Sequence, residues 1–212
     1  MHLYQLLQQI AWNPGMHARW LNTLSFMENA GARKISACEH ETEVDLIQLK
    51  HAAEEHRHAY YLKKQISKID PALCPDYHSD HLLAPVATKQ YLHRLDLLAC
   101  KYLLKHFDLD RKALKYAAYL FVTYAIEVRA DELYPVYQQV LTEQGHKVMV
   151  KSIILEEAGH LEEMIQQLQR FSPVWETHAA AVAGIEQSLF DQWLAGLQQE
   201  INPTYAACTP SN

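Results

Sequence analysis

Apolar residues recur at three- and four-residue spacing along nearly the whole chain, and no alternating runs of β-branched residues bounded by turn signals interrupt them. This pattern predicts helices and no sheet. A short helix over about 2–11 meets the turn cluster Asn13-Pro14-Gly15, after which a first long helix runs from about 16 to 38. Thr42-Glu43-Val44-Asp45 has the form of a capping box and predicts a second long helix, to about Ile69. Pro71, Pro75 and Pro85 mark residues 70–87 as an irregular connection, followed by an extra helix over about 88–106. Asp110 is a candidate N-cap for a third long helix, kinked at Pro135 and stopped at Gly145. A fourth long helix covers about 147–170, and Ser172-Pro173 opens a fifth, over about 173–200, with an apolar stripe of Ile185, Leu189, Trp193 and Leu197. The last dozen residues read as a frayed tail.

A chain of 212 residues, 49% of them apolar, is long enough for one well-filled core, so a single helical domain over 1–212 is expected. The formal net charge of −6 leaves no surplus of cations for phosphates, which argues against nucleic acid and anionic membranes as partners. No stretch approaches the roughly 20 apolar residues that span a bilayer, and the first residues lack the basic lead of a leader segment. A soluble, cytoplasmic protein is the expectation. Cys38, Cys74, Cys100 and Cys208 lie far apart with no Cys-x-x-Cys pair, so they read as reduced thiols rather than an iron or zinc site.

The candidate chemistry lies in carboxylates and imidazoles placed on inward faces. Glu55 and His58 stand three apart on the second long helix, as do Glu157 and His160 on the fourth, which puts each pair on one face. Chance supplies about one such pair in a chain of this composition, so spacing alone is weak. Three occur, and the third, Glu143 with His146, straddles Gly145 at a predicted break and carries no weight. The other two share their faces with apolar residues: Ala52, Ala59 and Leu62 for the first, Ile153, Ile154, Leu161 and Met164 for the second. Each helix is also preceded by a long helix with a lone glutamate in an apolar stripe, Glu28 and Glu127. Glu55 follows Glu28 by 27 residues and Glu157 follows Glu127 by 30, so going up one helix and down the next brings each pair to a common level. Four buried carboxylates would each cost several kcal/mol or protonate, whereas two divalent cations cancel their charge.

This duplicated pattern resembles the ferritin-like superfamily of di-iron carboxylate proteins, in which two helices each give a glutamate and two give Glu-x-x-His. The resemblance covers roughly residues 16–170. It implies an all-α, ferritin-like four-helix bundle with a long crossover and additional helices, and metal ligands Glu28, Glu55, His58, Glu127, Glu157 and His160. Asp131, one turn after Glu127, is a candidate second carboxylate for orienting a histidine, or else part of an exposed ion pair. Tyr124 and Tyr61, one turn from proposed ligands, are candidates for gating or redox roles, with core packing as the alternative. Glu54, Glu156, Glu162 and Glu163 read as a solvated face, with Glu54 or Glu156 as substitutes if the register shifts by one. His51 and His56 read as bystanders, and His78-Ser79-Asp80-His81 as a polar loop tip.

Mixed oxygen and nitrogen ligation suits two iron ions, with manganese or a mixed manganese–iron pair as alternatives. By resemblance the expected function is a di-iron or di-manganese oxidoreductase acting on dioxygen or peroxide, as a monomer or, more specifically, a homodimer. Electrons would come from a separate donor protein or from the substrate. Two other readings stand beside it: ferritin-type iron oxidation and storage, and a metal-free helical scaffold docking a partner through Phe190, Trp193 and Leu197.

Overall fold

The structure is a computed structural model that describes residues 3–202; the predicted frayed tail and Cys208 lie outside the described residues. It is all-helical. Seven α-helices run in the order α1 Leu3–Trp12, α2 Pro14–Ala37, α3 Leu46–Gln65, α4 Pro85–His106, α5 Arg111–Glu143, α6 Lys151–Phe171 and α7 Trp175–Ile201. No strand occurs among the described residues. None of these helices is long and apolar enough to cross a membrane.

Side-chain caps set the starts of α2, α3 and α5. The Asn13 side chain accepts from the Met16 amide (3.0 Å), with Pro14 in the first turn, where its missing amide costs nothing. Asp110 accepts from Ala113 (2.7 Å) as expected. At α3 the cap is Asp45, accepting from Ile47 (2.9 Å) and Gln48 (3.2 Å), so the expected capping box at Thr42 does not form. Thr42 is instead in a turn in which its amide donates to His40 Nδ1 (3.3 Å). α5 runs on through Pro135, which stands on an exposed face, and Gly145 at φ +68° turns the chain into the next connection.

Four helices form two antiparallel hairpins. Ser25 Oγ donates to the Ala59 carbonyl (2.6 Å) and Gln48 Nε2 to the Ile35 carbonyl (3.1 Å), which fixes α2 against α3. Tyr116 donates to Gln167 (3.1 Å), and the Val150 amide donates to Gln138 (2.8 Å), which fixes α5 against α6. The hairpins meet through α3 and α6, tied by Lys50–Glu163 (2.7 Å) and by Tyr61 donating to the Met149 carbonyl (3.0 Å). The same order of contacts makes α3 antiparallel to α6. α5 therefore descends alongside α3, so the chain between them has to climb the full bundle, and α4 makes that climb.

α7 covers the outside of α4 and α5. Trp193 stacks between Trp20 (5.7 Å between ring centroids) and Tyr91 (5.7 Å), and its indole donates to Thr88 Oγ1 (2.9 Å). Phe190, Trp193 and Leu197 are all buried, so the docking face expected of this helix is spent on the protein's own core. Two apolar clusters result. Leu24, Leu62, Leu133 and Ile153 belong to one, and Ile35, Ala52, Leu120 and Met164 to the other. Glu28, Glu55, Glu127 and Glu157 fall between these positions on their four helices, so a charged layer separates the two clusters.

A buried imidazole, His17, lies beside the first cluster. His17 shares a 2.6 Å hydrogen bond with the Tyr137 hydroxyl, and its ring packs 4.8 Å from that of His146. Burial, aided by repulsion from His146, holds His17 at about 3 instead of the ordinary 6.5. Between those values the unfolded chain binds the extra proton, so this group's contribution to stability is fully present above pH 6.5 and is lost as pH falls towards 3. We expect His17→Gln to remove a slope of up to about 1.4 kcal/mol per pH unit from the acid side of the stability profile, measured by urea unfolding from pH 7 downwards. An unchanged slope would refute the assignment.

Candidate metal centre

The six sequence-predicted ligands converge. Ligand atoms of Glu55, Glu127, Glu157 and His160 lie within 4.8 Å of one another, and so do those of Glu28, Glu55 and His58. Glu55 is common to both groups. Glu157 Oε1 is 3.0 Å from His58 Nδ1, while its Oε2 is 3.2 Å from His160 Nδ1, so this carboxylate spans the gap between the imidazoles. His160 Nδ1 also stands 3.6 Å from Glu127 and 3.8 Å from Glu55. All are buried except Glu28, which is half-buried.

Both imidazoles present Nδ1 to the carboxylates and are held from behind through Nε2. His58 Nε2 lies 2.7 Å from Glu156 on α6, and His160 Nε2 lies 2.7 Å from Glu54 on α3. The arrangement is reciprocal, each helix orienting the histidine of the other. Arg57 bonds both outer carboxylates, Glu156 at 2.7 Å and Glu54 at 3.3 Å. A carboxylate on one ring nitrogen fixes tautomer and orientation and leaves the other nitrogen as a lone-pair donor. We expect Glu54→Gln and Glu156→Gln each to weaken metal binding about 10–100-fold while the helical content stays unchanged. Metal titrations of the two variants by calorimetry check this, and wild-type affinity in both would show that the outer carboxylates do not act on the histidines.

The surrounding groups correct several expectations. Asp131 is exposed and turned from the cluster, and the Tyr124 ring lies edge-on to Trp175 at 6.0 Å. Tyr61 bonds the Met149 carbonyl, as above. None of the three touches the cluster, and the tyrosine that does is Tyr134, whose hydroxyl donates to Glu28. Glu54 and Glu156 are not a merely solvated face. His51 is fully buried, bonded to Glu163 (2.8 Å) and Tyr119 (3.2 Å), with its ring 4.8 Å from that of His160. His56 is exposed, and His81 bonds Asp76 (2.6 Å) in the loop. Glu143 accepts from Tyr4 and Gln139 at the far end of α5 and takes no part.

The electrostatics show what four inward carboxylates cost. Burial, reinforced by the charges of Glu28, Glu157 and Glu127, raises the Glu55 carboxyl well above the usual range. Burial and then Glu157 do the same to Glu127, and burial raises Glu28. Glu157 moves the other way: burial pushes it up, but hydrogen bonds from Glu127, His160 and His58 outweigh that. Burial disfavours charge on His160, yet Glu127 and Glu157 drive it up to about 11, and the nearby carboxylates raise His58 against the same opposition. Protons thus take the place of cations in neutralising the layer.

A pair of divalent cations fits this donor set. His58 Nδ1 is buried and makes no well-aligned hydrogen bond, although it faces Glu157 at 3.0 Å, so once it gives up its proton its lone pair is directed at the cluster. Hard carboxylate oxygens with one imidazole per metal suit iron or manganese. Cys38, Cys74 and Cys100 are free, and none belongs to the cluster. No protein-family model matches the chain, and no curated protein or solved structure matches it.

Proposed function

We propose that this protein is a dinuclear metal oxidoreductase of ferritin-like architecture, in which Glu28, Glu55, His58, Glu127, Glu157 and His160 hold two iron ions. Manganese or a mixed pair suits the same ligands. The observation that supports it best is the paired histidine arrangement: two inward Nδ1 atoms face shared carboxylates while each Nε2 is held by a carboxylate from the opposite helix. A merely structural ion-pair network has no need for two such reciprocal orienting bonds. When bound, the metals would supply one-electron chemistry towards dioxygen or peroxide. The chain's own part is to set the ligands, to exclude water with an apolar cluster at each end, and to hold a proton at Tyr134 beside Glu28.

Tyr134 is placed to deliver or retain that proton, because burial and then the charge of Glu28 push its hydroxyl well above the usual range. A cavity reaching Glu28, Glu55, Glu127 and Glu157 favours a small-molecule reaction over iron storage. Electrons would come from a donor protein or the substrate. The test is metal analysis of protein made in iron-supplemented medium, combined with anomalous scattering at the iron edge and size-exclusion chromatography. We expect about two metal equivalents per chain at the named ligands, in a homodimer. A large shell would favour the storage reading, and less than about half an equivalent would overturn the dinuclear one.

A further inference from the structure

The charged layer opens on one side into a cavity of about 540 Å³. It lies between α2, α4 and α5, and it follows the helix axes. On the α2 side its wall runs from Leu24 to Cys38 at the helix cap, about 21 Å at 1.5 Å per residue, and on α5 from Arg111 to Tyr134, about 35 Å. Spreading the volume over such a length leaves a cross-section of roughly 20 Å², the girth of one extended polymethylene chain; a helix 10–12 Å across does not fit. The wall is apolar over most of this length; Thr123 and Arg129, the latter bonded to Glu186 (2.7 Å), interrupt it on α5, and charge gathers at two places.

One is the layer itself, where Glu28, Glu55, Glu127 and Glu157 border the cavity. The other is the end formed by the C-terminus of α2 and the N-terminus of α5. Lys34, Arg111 and Lys115 gather there. Lys34 is engaged by Asp96 (2.5 Å), whereas Arg111 and Lys115 are exposed and pair with no carboxylate among the described residues. Arg111 and Lys115 attract an anionic head at the exposed end of the cavity, whereas the buried layer offers it no exposed cation, so the head of a bound amphiphile is placed at that end. From Lys115 to Glu127 on α5 is about 18 Å, which places the chain's methylenes, and not its head, beside the charged layer.

We propose that this cavity binds one straight-chain amphiphile of fatty-acyl length with an anionic head at Arg111 and Lys115, its alkyl chain lying past the carboxylate layer. The chain's being the molecule presented to the metals rests on the dinuclear reading above; its binding does not.

Gly31 supplies the test. It stands on the α2 wall, and a Cβ built there meets nothing within 4 Å, so a larger side chain can enter the cavity without striking backbone. The substitution also removes a helix-interior glycine, which favours folding. Hexadecanoate, octanoate and hexadecan-1-ol are titrated calorimetrically into metal-free and iron-loaded full-length protein. Wild type is expected to bind one hexadecanoate per chain in both metal states, about tenfold or more tighter than octanoate. Gly31→Leu, and independently Ala118→Leu on the facing wall, are expected to lose about tenfold or more in hexadecanoate affinity with helicity and iron content unchanged. Arg111→Glu with Lys115→Glu is expected to weaken hexadecanoate and spare hexadecan-1-ol. No binding to wild type, several molecules adsorbed per chain, or equal affinity in both folded wall variants overturns the proposal. Should iron content fail while hexadecanoate binds, the dinuclear reading falls and the cavity assignment stands.

Discussion

Glu157→Ala is expected to lose most of the bound metal, falling from about two equivalents to below half an equivalent per chain, while Glu163→Ala retains it. The two residues lie on the same helix, two turns apart, and both are acidic, so the contrast isolates position. Glu157 sits between the two imidazoles, 3.0 Å from one Nδ1 and 3.2 Å from the other. Its removal therefore takes a donor from both halves of the centre at once. Glu163 is half-buried and bonds Lys50 (2.7 Å) and His51 (2.8 Å), and it is not among the converging ligand atoms. Metal analysis after dialysis against a weak chelator reads the result. Equal retention in both variants would remove the ligand assignment.

How much of this is legible in the sequence depends on periodicity. The helices and the six inward carboxylates and imidazoles follow from a 3.6-residue repeat, because a polar group on an apolar stripe has nowhere to go but inward. The roles of the neighbouring residues did not follow. Asp131 and Tyr124 lie about one turn from Glu127, which leaves them some 40–60° off its direction, enough to turn them to the outer face. Tyr134 is seven residues on, within about 20° of the same line, and a helical side chain leans towards the N-terminus, so its hydroxyl reaches back to Glu28. A heptad step was the better guide.

Glu54 and Glu156 were missed for a different reason. Each immediately precedes a ligand glutamate, so each helix carries Glu-Glu-x-x-His, and the doubled acid was a repeated signal that single-residue exposure concealed. The cavity was not legible at all. It exists because α4, wedged beside α2 and α5, holds those two helices apart along a stripe that includes Gly31, Ala118 and Ala130, and helix separation is a property of three elements together.

Stripping the metals is expected to lower the melting temperature by roughly 10–20 °C. Each site held at a hundredfold excess over its dissociation constant contributes about 2.7 kcal/mol, and in a chain of this size one kcal/mol is roughly 2–4 °C. Glu55→Gln separates the cost of the charged layer from the gain of filling it. The folded protein holds the Glu55 carboxyl well above its usual 4.5, chiefly through burial and then through Glu28. A group raised in this way gives stability that is fully present below pH 4.5 and is lost as pH rises towards the folded value. Glutamine keeps the volume and a donor towards Glu28 but has no proton to lose, so the metal-free variant is expected to melt several degrees above metal-free wild type at pH 7. That advantage should shrink on acidification and reverse when iron is added, because the variant lacks the negative carboxylate that both groups of converging side chains share. A metal-free variant less stable than wild type, together with a wild type indifferent to iron, would mean that the layer is an ordinary ion-pair network. The opposite signs are expected because four inward carboxylates repel one another when only protons neutralise them, whereas bound cations would draw on the same negative charge.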